Sequence, residues 1–320
     1  MPHDHRHHHH DHAHGPGAHH HHHDTASMGD GRLAWAVAVN VVLTVVQIVG
    51  GLVSGSLALV ADAIHNLSDA AALGIALFAR KVARRGADER MTYGYRRAEI
   101  IAALINLTTL IVIGVYLVYE AVLRFFAPEP IVGWIVVVVA GAALAIDLVT
   151  AALTYAGAKD SLNIRAAFLH NVADALGSVA VIVAGTLVIW FGWVWVDPAV
   201  TLLIAGYILW HGLVEIRACI HILMGGVPVG VELAALSEAV RTVEGVVGVH
   251  HLHVWQLDER APYFEAHVVI ERTDADRLED IKRAVKRALR ERFGIAHSTL
   301  EIEFVGAHSE CVETAAVVAH

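Results

Sequence analysis

Two short stretches carry the same polar pattern inside otherwise apolar surroundings. His65 stands four residues before Asp69, and His170 four before Asp174, each in a segment that opens His-Asn. Four residues are just over one helical turn, so each pair shares a helix face, with side chains about 5 to 6 Å apart. Two such faces opposed offer two imidazoles and two carboxylates. That set suits a tetrahedral Zn2+, which takes His nitrogen and Asp oxygen at about 2.0 to 2.2 Å. One isolated pair could neutralise itself, but self-neutralisation gives no reason for a matched second copy. Asp62 lies seven residues before Asp69, and two readings stay open for it: facing the same cavity, or capping the helix start.

The elements that must position these residues are membrane spans. The chain is 56% hydrophobic and 17% charged over 320 residues, whereas soluble domains run nearer a quarter charged. Apolar stretches near the ~20 residues needed to cross a bilayer recur six times: Leu33 to Val53, Leu57 to Ala79, Ala98 to Phe125, Ile131 to Ala156, Ala166 to Phe191 and Pro198 to Ile222. Each ionisable group inside a span costs roughly 2.5 to 3.5 kcal/mol at a helix centre and persists only with a partner or a watery cavity. Arg80, Lys81, Arg84, Arg85, Arg90, Arg96 and Arg97 crowd the second loop, and Lys159 and Arg165 the fourth, against Arg124 alone in the third. Even-numbered loops and both termini are therefore expected in the cytoplasm.

The remaining segments read as domains 1-32, 223-307 and 308-320 around the membrane domain 33-222. The first holds 13 His within 23 positions, interspersed with Asp4 and Asp11 and followed by Asp24. It cannot pack a core and reads as a loose chelator of Zn2+, Co2+, Ni2+ or Cu2+. From Glu232 the pattern runs helix, strand (Val247 to Leu257), strand (Tyr263 to Ile270), charged amphipathic helix (Asp276 to Phe293) and strand (Thr299 to Phe304), a ferredoxin-like α+β unit. Cys219 and Cys311 lie too far apart for a disulfide framework. The net charge of −9 argues against a nucleic-acid partner, and the histidine and aspartate leader against a secretory signal.

Other polar residues have plainer readings. Asn40, Gln47 and Asn106 are expected to hydrogen-bond between helices; Asp147, being ionisable, is a candidate to line the ion's route together with Asp62. His211 and His221 read as packing or interfacial residues. Strand alternation sends His251 and His253 to one face and His250 to the other, so the three share an ion only if the strand bulges.

Several ordered motifs resemble the cation diffusion facilitators: SGSLALVADAIHNLSD from Ser54 to Asp69, YGYRRAE from Tyr93 to Glu99, HNVADALGS from His170 to Ser178, VHHLHVW from Val249 to Trp255, Ala266-His267-Val268, and HSTLEIE from His297 to Glu303. The resemblance covers nearly everything after the His tail. It implies six spans, a cytoplasmic ferredoxin-like domain, a homodimer, and export of a divalent metal against protons. It implies His65, Asp69, His170 and Asp174 as the transport site, zinc-type rather than manganese-type, and His250, His267 and Glu303 as cytoplasmic ligands. Zinc-type relatives often carry a His between the second and third spans; here that loop offers Met91, Tyr93, Tyr95 and Arg96, and Asp88 alone is too few donors for a tight site.

The expected protein is a proton-coupled Zn2+ exporter, with Cd2+, Co2+ or Ni2+ as further cargo, in a bacterial inner membrane. Its expected partners are the ions, protons, the bilayer and a second copy. Zn2+ is cargo and a regulatory ion, and no organic cofactor is expected. The alternatives are an intramembrane metalloenzyme, which lacks a general base such as Glu beside the ligands, and a metal-storing or sensing membrane protein, which leaves the matched span motifs idle.

Overall fold

The structure, a computed structural model, describes residues 30–155, 162–259 and 261–306, without the side chains of 30–40, 73, 76, 77, 80, 153, 154 and 162–167. The His-rich tail with Asp4, Asp11 and Asp24, then Lys159, Cys311 and the side chains of Asn40 and Arg165, lie outside the described residues. Contacts divide the chain into two compact units, the division falling between Ile220 and His221 in the last turn of the sixth long helix.

The first unit contains six long helices: α1 (Asp30–Ser54), α2 (Leu57–Ala83), α3 (Ala98–Phe126), α4 (Gly133–Tyr155), α5 (Leu162–Phe191) and α6 (Val196–Leu223). Among the described residues, stretches of α3, α4, α5 and α6 are long and apolar enough to cross a membrane. α2 is less apolar because Asp62, His65, Asn66 and Asp69 lie within it. Its apolar side is nonetheless buried: Ala58 and Leu59 pack with Val136 of α4, Val181 of α5 and Val200 of α6, while Leu57 and Ala61 pack with Leu117 of α3 and Ala205 of α6.

The start of α2 is held by its neighbours. A helix begins with backbone N–H groups that have no partner within the helix, and here another helix supplies the acceptor. Asp197, in the first turn of α6, accepts from the Leu57 N–H at 2.8 Å, the Ala58 N–H at 3.3 Å and the Ser56 hydroxyl. Arg124 of α3 donates to the Gly55 carbonyl, and Val132 donates its N–H to the Ser54 carbonyl at 2.8 Å. Gly55 has φ +73°, and a β-carbon there would stand 2.7 Å from the Pro130 carbonyl oxygen, so the turn into α2 requires glycine on both counts. These contacts fix the level at which the polar face of α2 sits.

The second unit contains α7 (Leu233–Arg241), β1 (Val246–Gln256), β2 (Pro262–Ile270), a 3₁₀ turn (Arg272–Arg277), α8 (Leu278–Phe293) and β3 (His297–Phe304). β1 pairs antiparallel with β2, and β2 parallel with β3. Leu236 and Val240 of α7, with Ile281, Val285 and Leu289 of α8, cover one face of the sheet against Leu252, Val254, Phe264, Ala266 and Val268. The helices take one face and leave the other to the polar residues of the strands. α8 ends where Gly294 turns left-handed at φ +67° and returns its N–H to Arg290, the usual stop for a helix with no side-chain cap.

Candidate metal centres

α2 and α5 position the first group. Nε2 of His65 lies 3.3 Å from Asp174 Oδ1 and 3.8 Å from Asp69 Oδ2. Nε2 of His170 lies 3.3 Å from Asp69 Oδ2 and 3.5 Å from Asp174 Oδ2. Each imidazole thus faces a carboxylate on its own helix and one on the other. Ligand atoms of His65, Asp69 and Asp174 all fall within 4.8 Å of one another, and the two rings stand edge to face, 6.2 Å between centroids. His65 Nδ1, Asp69 Oδ2 and Asp174 Oδ1 are buried and make no hydrogen bond among the described residues. Burying such an atom unsatisfied costs about 1–3 kcal/mol, and a cation seated between the carboxylates removes that cost.

Asp62 is not among the converging donors. It is buried and accepts from Gln47 Nε2 of α1 at 2.7 Å, while Gln47 Oε1 accepts from Asn66 Nδ2 at 3.1 Å. It does not cap α2, a role Asp197 fills. On its other side is Gly177 of α5, where a β-carbon would come within 3.2 Å of Asp62 Oδ1. Asp147 is engaged too: Ser178 donates to its Oδ2 at 3.2 Å, tying α4 to α5. Asn106 donates to Ser68 at 3.5 Å, at the limit of a hydrogen bond. Gln47 and Asn106 therefore make the interhelical bonds read for them.

His211, expected as a packing or interfacial residue, has its Nε2 3.5 Å from Glu215, one turn further along α6. The Tyr207 ring stands 5.8 Å from the His65 ring and 6.0 Å from that of His211. Tyr207, His211 and Glu215 form a stripe at intervals of four that leads from the centre along α6. The same i, i+4 spacing that singled out α2 and α5 could have found it. His221 Nε2 lies 2.7 Å from the Val227 carbonyl oxygen and secures the chain after α6.

In the loop between α2 and α3, Asp88 accepts from the Tyr95 hydroxyl at 2.7 Å and from the N–H groups of Arg90 and Met91 at 2.8 Å. The Tyr95 bond, and then the two backbone donors, hold its carboxyl below the usual range. Asp88 is occupied in shaping its turn.

The second group lies on the open face of the sheet. His250 Nε2 is 3.4 Å from Glu303 Oε2, and His267 Nδ1 is 2.8 Å from Glu303 Oε1, with His267 Nε2 3.4 Å from Glu301. His250, His267 and Glu303 also bring ligand atoms within 4.8 Å of one another. Simple alternation would have put His250 on the covered face. A bulge in β1 between His250 and His253 prevents this: three steps on β1 span two on β2, so His250↔His267 and His253↔Glu265 are both pairs of the open face.

Residues 33–224 match the family model described as cation efflux transmembrane domain, and residues 228–305 the one described as cation efflux protein, cytoplasmic domain. The chain is 37% identical to the zinc transporter ZitB of Escherichia coli over 87% of this chain and 88% of that one. It is 36% identical to the cadmium, cobalt and zinc/H(+)-K(+) antiporter of Bacillus velezensis, covering 81% and 83%. The metal cation efflux system protein CzcD of Cupriavidus metallidurans is 35% identical, with 84% of each chain covered.

Proposed function

Because the chain belongs to the cation efflux family, and is a multi-pass membrane transporter rather than an enzyme, we propose that it exports Zn2+ from the cytoplasm in exchange for protons through His65, Asp69, His170 and Asp174. The observation that carries this reading is the convergence of those four side chains from α2 and α5, each imidazole within 3.8 Å of both carboxylates. Every ligand must shed its proton before it takes a metal, so metal and protons compete for one place. A site that holds either one, opened alternately to the two sides, exchanges them. Two imidazoles and two carboxylates also accept Cd2+, Co2+ and Ni2+, the first two of which stand in the name of the Bacillus velezensis relative. His211 and Glu215 extend the polar path along α6 toward its cytoplasmic end, and Asp62 and Asp147 flank the centre.

The setting is a bacterial inner membrane, with both termini in the cytoplasm and two copies joined as a homodimer in the bilayer. His250, His267 and Glu303 hold a resident regulatory ion; the donors fit Zn2+ in type and in mutual reach. Residues 1–32 gather metal near the entrance.

Sealed vesicles with an imposed pH gradient and a panel of metals test this. Zn2+ should accumulate only when protons can move the other way, and not at all with Asp174→Ala. Uptake that ignores the gradient would refute proton exchange, and an active Asp174→Ala protein would refute the site.

A further inference from the structure

The loop between α2 and α3, residues 84–97, belongs to neither metal centre. From Arg80 to Arg97 the chain holds seven Lys or Arg against two carboxylates, Asp88 and Glu89. Lys81, Arg84, Arg85 and Arg90 are exposed. Among the described residues, the ion pairs of the transmembrane unit join histidines to carboxylates or centre on Arg124, which leaves these four cations to an outside partner. Arg97 Nε is buried and makes no hydrogen bond among the described residues. α8 is also basic, but there Lys282 pairs with Glu279 at 2.9 Å, and Arg283 with Asp280.

The loop is folded rather than strung out. Asp88 accepts from the N–H groups of Arg90 and Met91 and from the Tyr95 hydroxyl, while the N–H groups of Asp88 and Gly94 both donate to the Met91 carbonyl, at 3.2 and 2.8 Å. Gly94 turns left-handed at φ +73° and lies against the preceding segment, where a β-carbon would stand 3.5 Å from the Arg85 carbonyl oxygen. The chain therefore doubles back, and the stretch carrying Arg84 and Arg85 runs beside the one leading to Arg96 and Arg97.

A bilayer adjoins this cap, because α2 and α3 belong to the transmembrane domain. Guanidinium forks match phosphate oxygens, and basic side chains next to a bilayer are drawn to anionic lipid. Two further residues separate a lipid from a dissolved anion: Met91 is 49% exposed and Tyr93 57%, on the same turn as Arg90. Dissolved phosphate would leave both in water, whereas the headgroup layer accepts an aromatic ring as readily as a charge. Positive charge in a loop also orients a protein during insertion. Charge alone achieves that, without the Asp88 turn and without Met91 or Tyr93.

We propose that this loop binds the headgroups of anionic phospholipids, with Arg84, Arg85, Arg90 and Arg97 on phosphate oxygens and Met91 and Tyr93 in the interface. α2 carries His65 and Asp69, so lipid held here steadies the helix that supplies two of the four membrane donors. The site requires only that α2 and α3 cross the bilayer, and it stands whether or not the centre carries Zn2+.

Full-length protein in a nonionic detergent, equilibrated with radiolabelled phosphatidylglycerol or phosphatidylcholine, tests this. Wild type should bind phosphatidylglycerol and little phosphatidylcholine, and added salt should weaken the binding. Arg84→Gln, Arg85→Gln and Arg90→Gln together should weaken it by roughly a hundredfold, about fivefold for each charge removed, and this variant should melt with wild type because the exchanged side chains are exposed. The same loss of charge on α8, through Arg283→Gln, Arg287→Gln and Arg290→Gln, should leave lipid binding unchanged. Met91→Ser with Tyr93→Ser should weaken lipid binding while keeping all the positive charge. Equal binding of the two lipids by wild type, equal effects of the two triple variants, or displacement of the lipid by inorganic phosphate at a matching concentration would overturn the proposal. Zn2+ flux in vesicles, recorded in parallel, speaks to the transport reading alone.

Discussion

The membrane centre and the sheet cluster use the same donor chemistry and differ in what holds it. His250, His267 and Glu303 come from three neighbouring strands joined by backbone hydrogen bonds, and His267 already makes a 2.8 Å bond to Glu303. The membrane donors come from α2 and α5, two helices joined through side chains, and three of their buried atoms make no hydrogen bond among the described residues. A sheet keeps its donors in place whether or not an ion is present. Packed helices shift by small slides and rotations, and when they do, a four-donor centre shared between them comes apart. On the proposed function, the frame, more than the ligand list, is what separates an ion that stays from one that leaves.

The sharpest way to break this comparison is to remove one membrane carboxylate. Asp69→Ala or Asp174→Ala should lower Zn2+ flux by roughly a hundredfold or more, the scale expected when one partner of a buried charge cluster is deleted. Initial rates in vesicles, normalised to folded protein, measure it. A loss of only a few-fold would make the centre no more demanding than the sheet.

Next in size is a change of selectivity. His65→Asp exchanges an imidazole for an oxygen ligand and should move the preference several-fold toward harder ions such as Mn2+. Competition between Mn2+ and Zn2+ in the same vesicles reads this, and an unchanged profile would take His65 away from the ion. The sheet offers the contrast: replacing His250, His267 and Glu303 together by Ala should remove a bound ion, by metal analysis, yet leave flux within a few-fold.

A smaller effect is expected around Asp62. Gln47→Leu takes away its hydrogen-bond donor and leaves a buried carboxylate without one among the described residues, which should cost about 1–3 kcal/mol. A lowered melting temperature in detergent, partly restored by the double variant Gln47→Leu, Asp62→Leu, is the expected result. Equal melting of wild type and Gln47→Leu would show the bond to be dispensable. Smallest of all, deleting residues 1–24 should leave maximal flux intact and only raise the Zn2+ concentration needed to reach half of it, since a tethered chelator acts through local concentration. Abolished flux would place the tail in the mechanism.

Local periodicity was enough to read much of this protein. The i, i+4 placement of His65 with Asp69 and of His170 with Asp174 follows from helix geometry alone, and the six helices and the α-β-β-α-β order lie within a few residues of where the apolar patterns put them. Contacts between segments distant in the chain were not legible. Nothing near Asp62 announces that Gln47, fifteen residues earlier, holds it, or that Asp197, some 140 residues later, takes the capping place at the start of α2. The β1 bulge was hidden for a related reason: alternation is a property of one strand, whereas the extra residue between His250 and His253 exists only relative to the register of β2. Spacing along a helix or strand is set by the backbone of that element, so the sequence determined which side chains share a face. Which faces meet, and which donors are then left to bind an ion, was decided by packing and strand pairing between elements far apart in sequence.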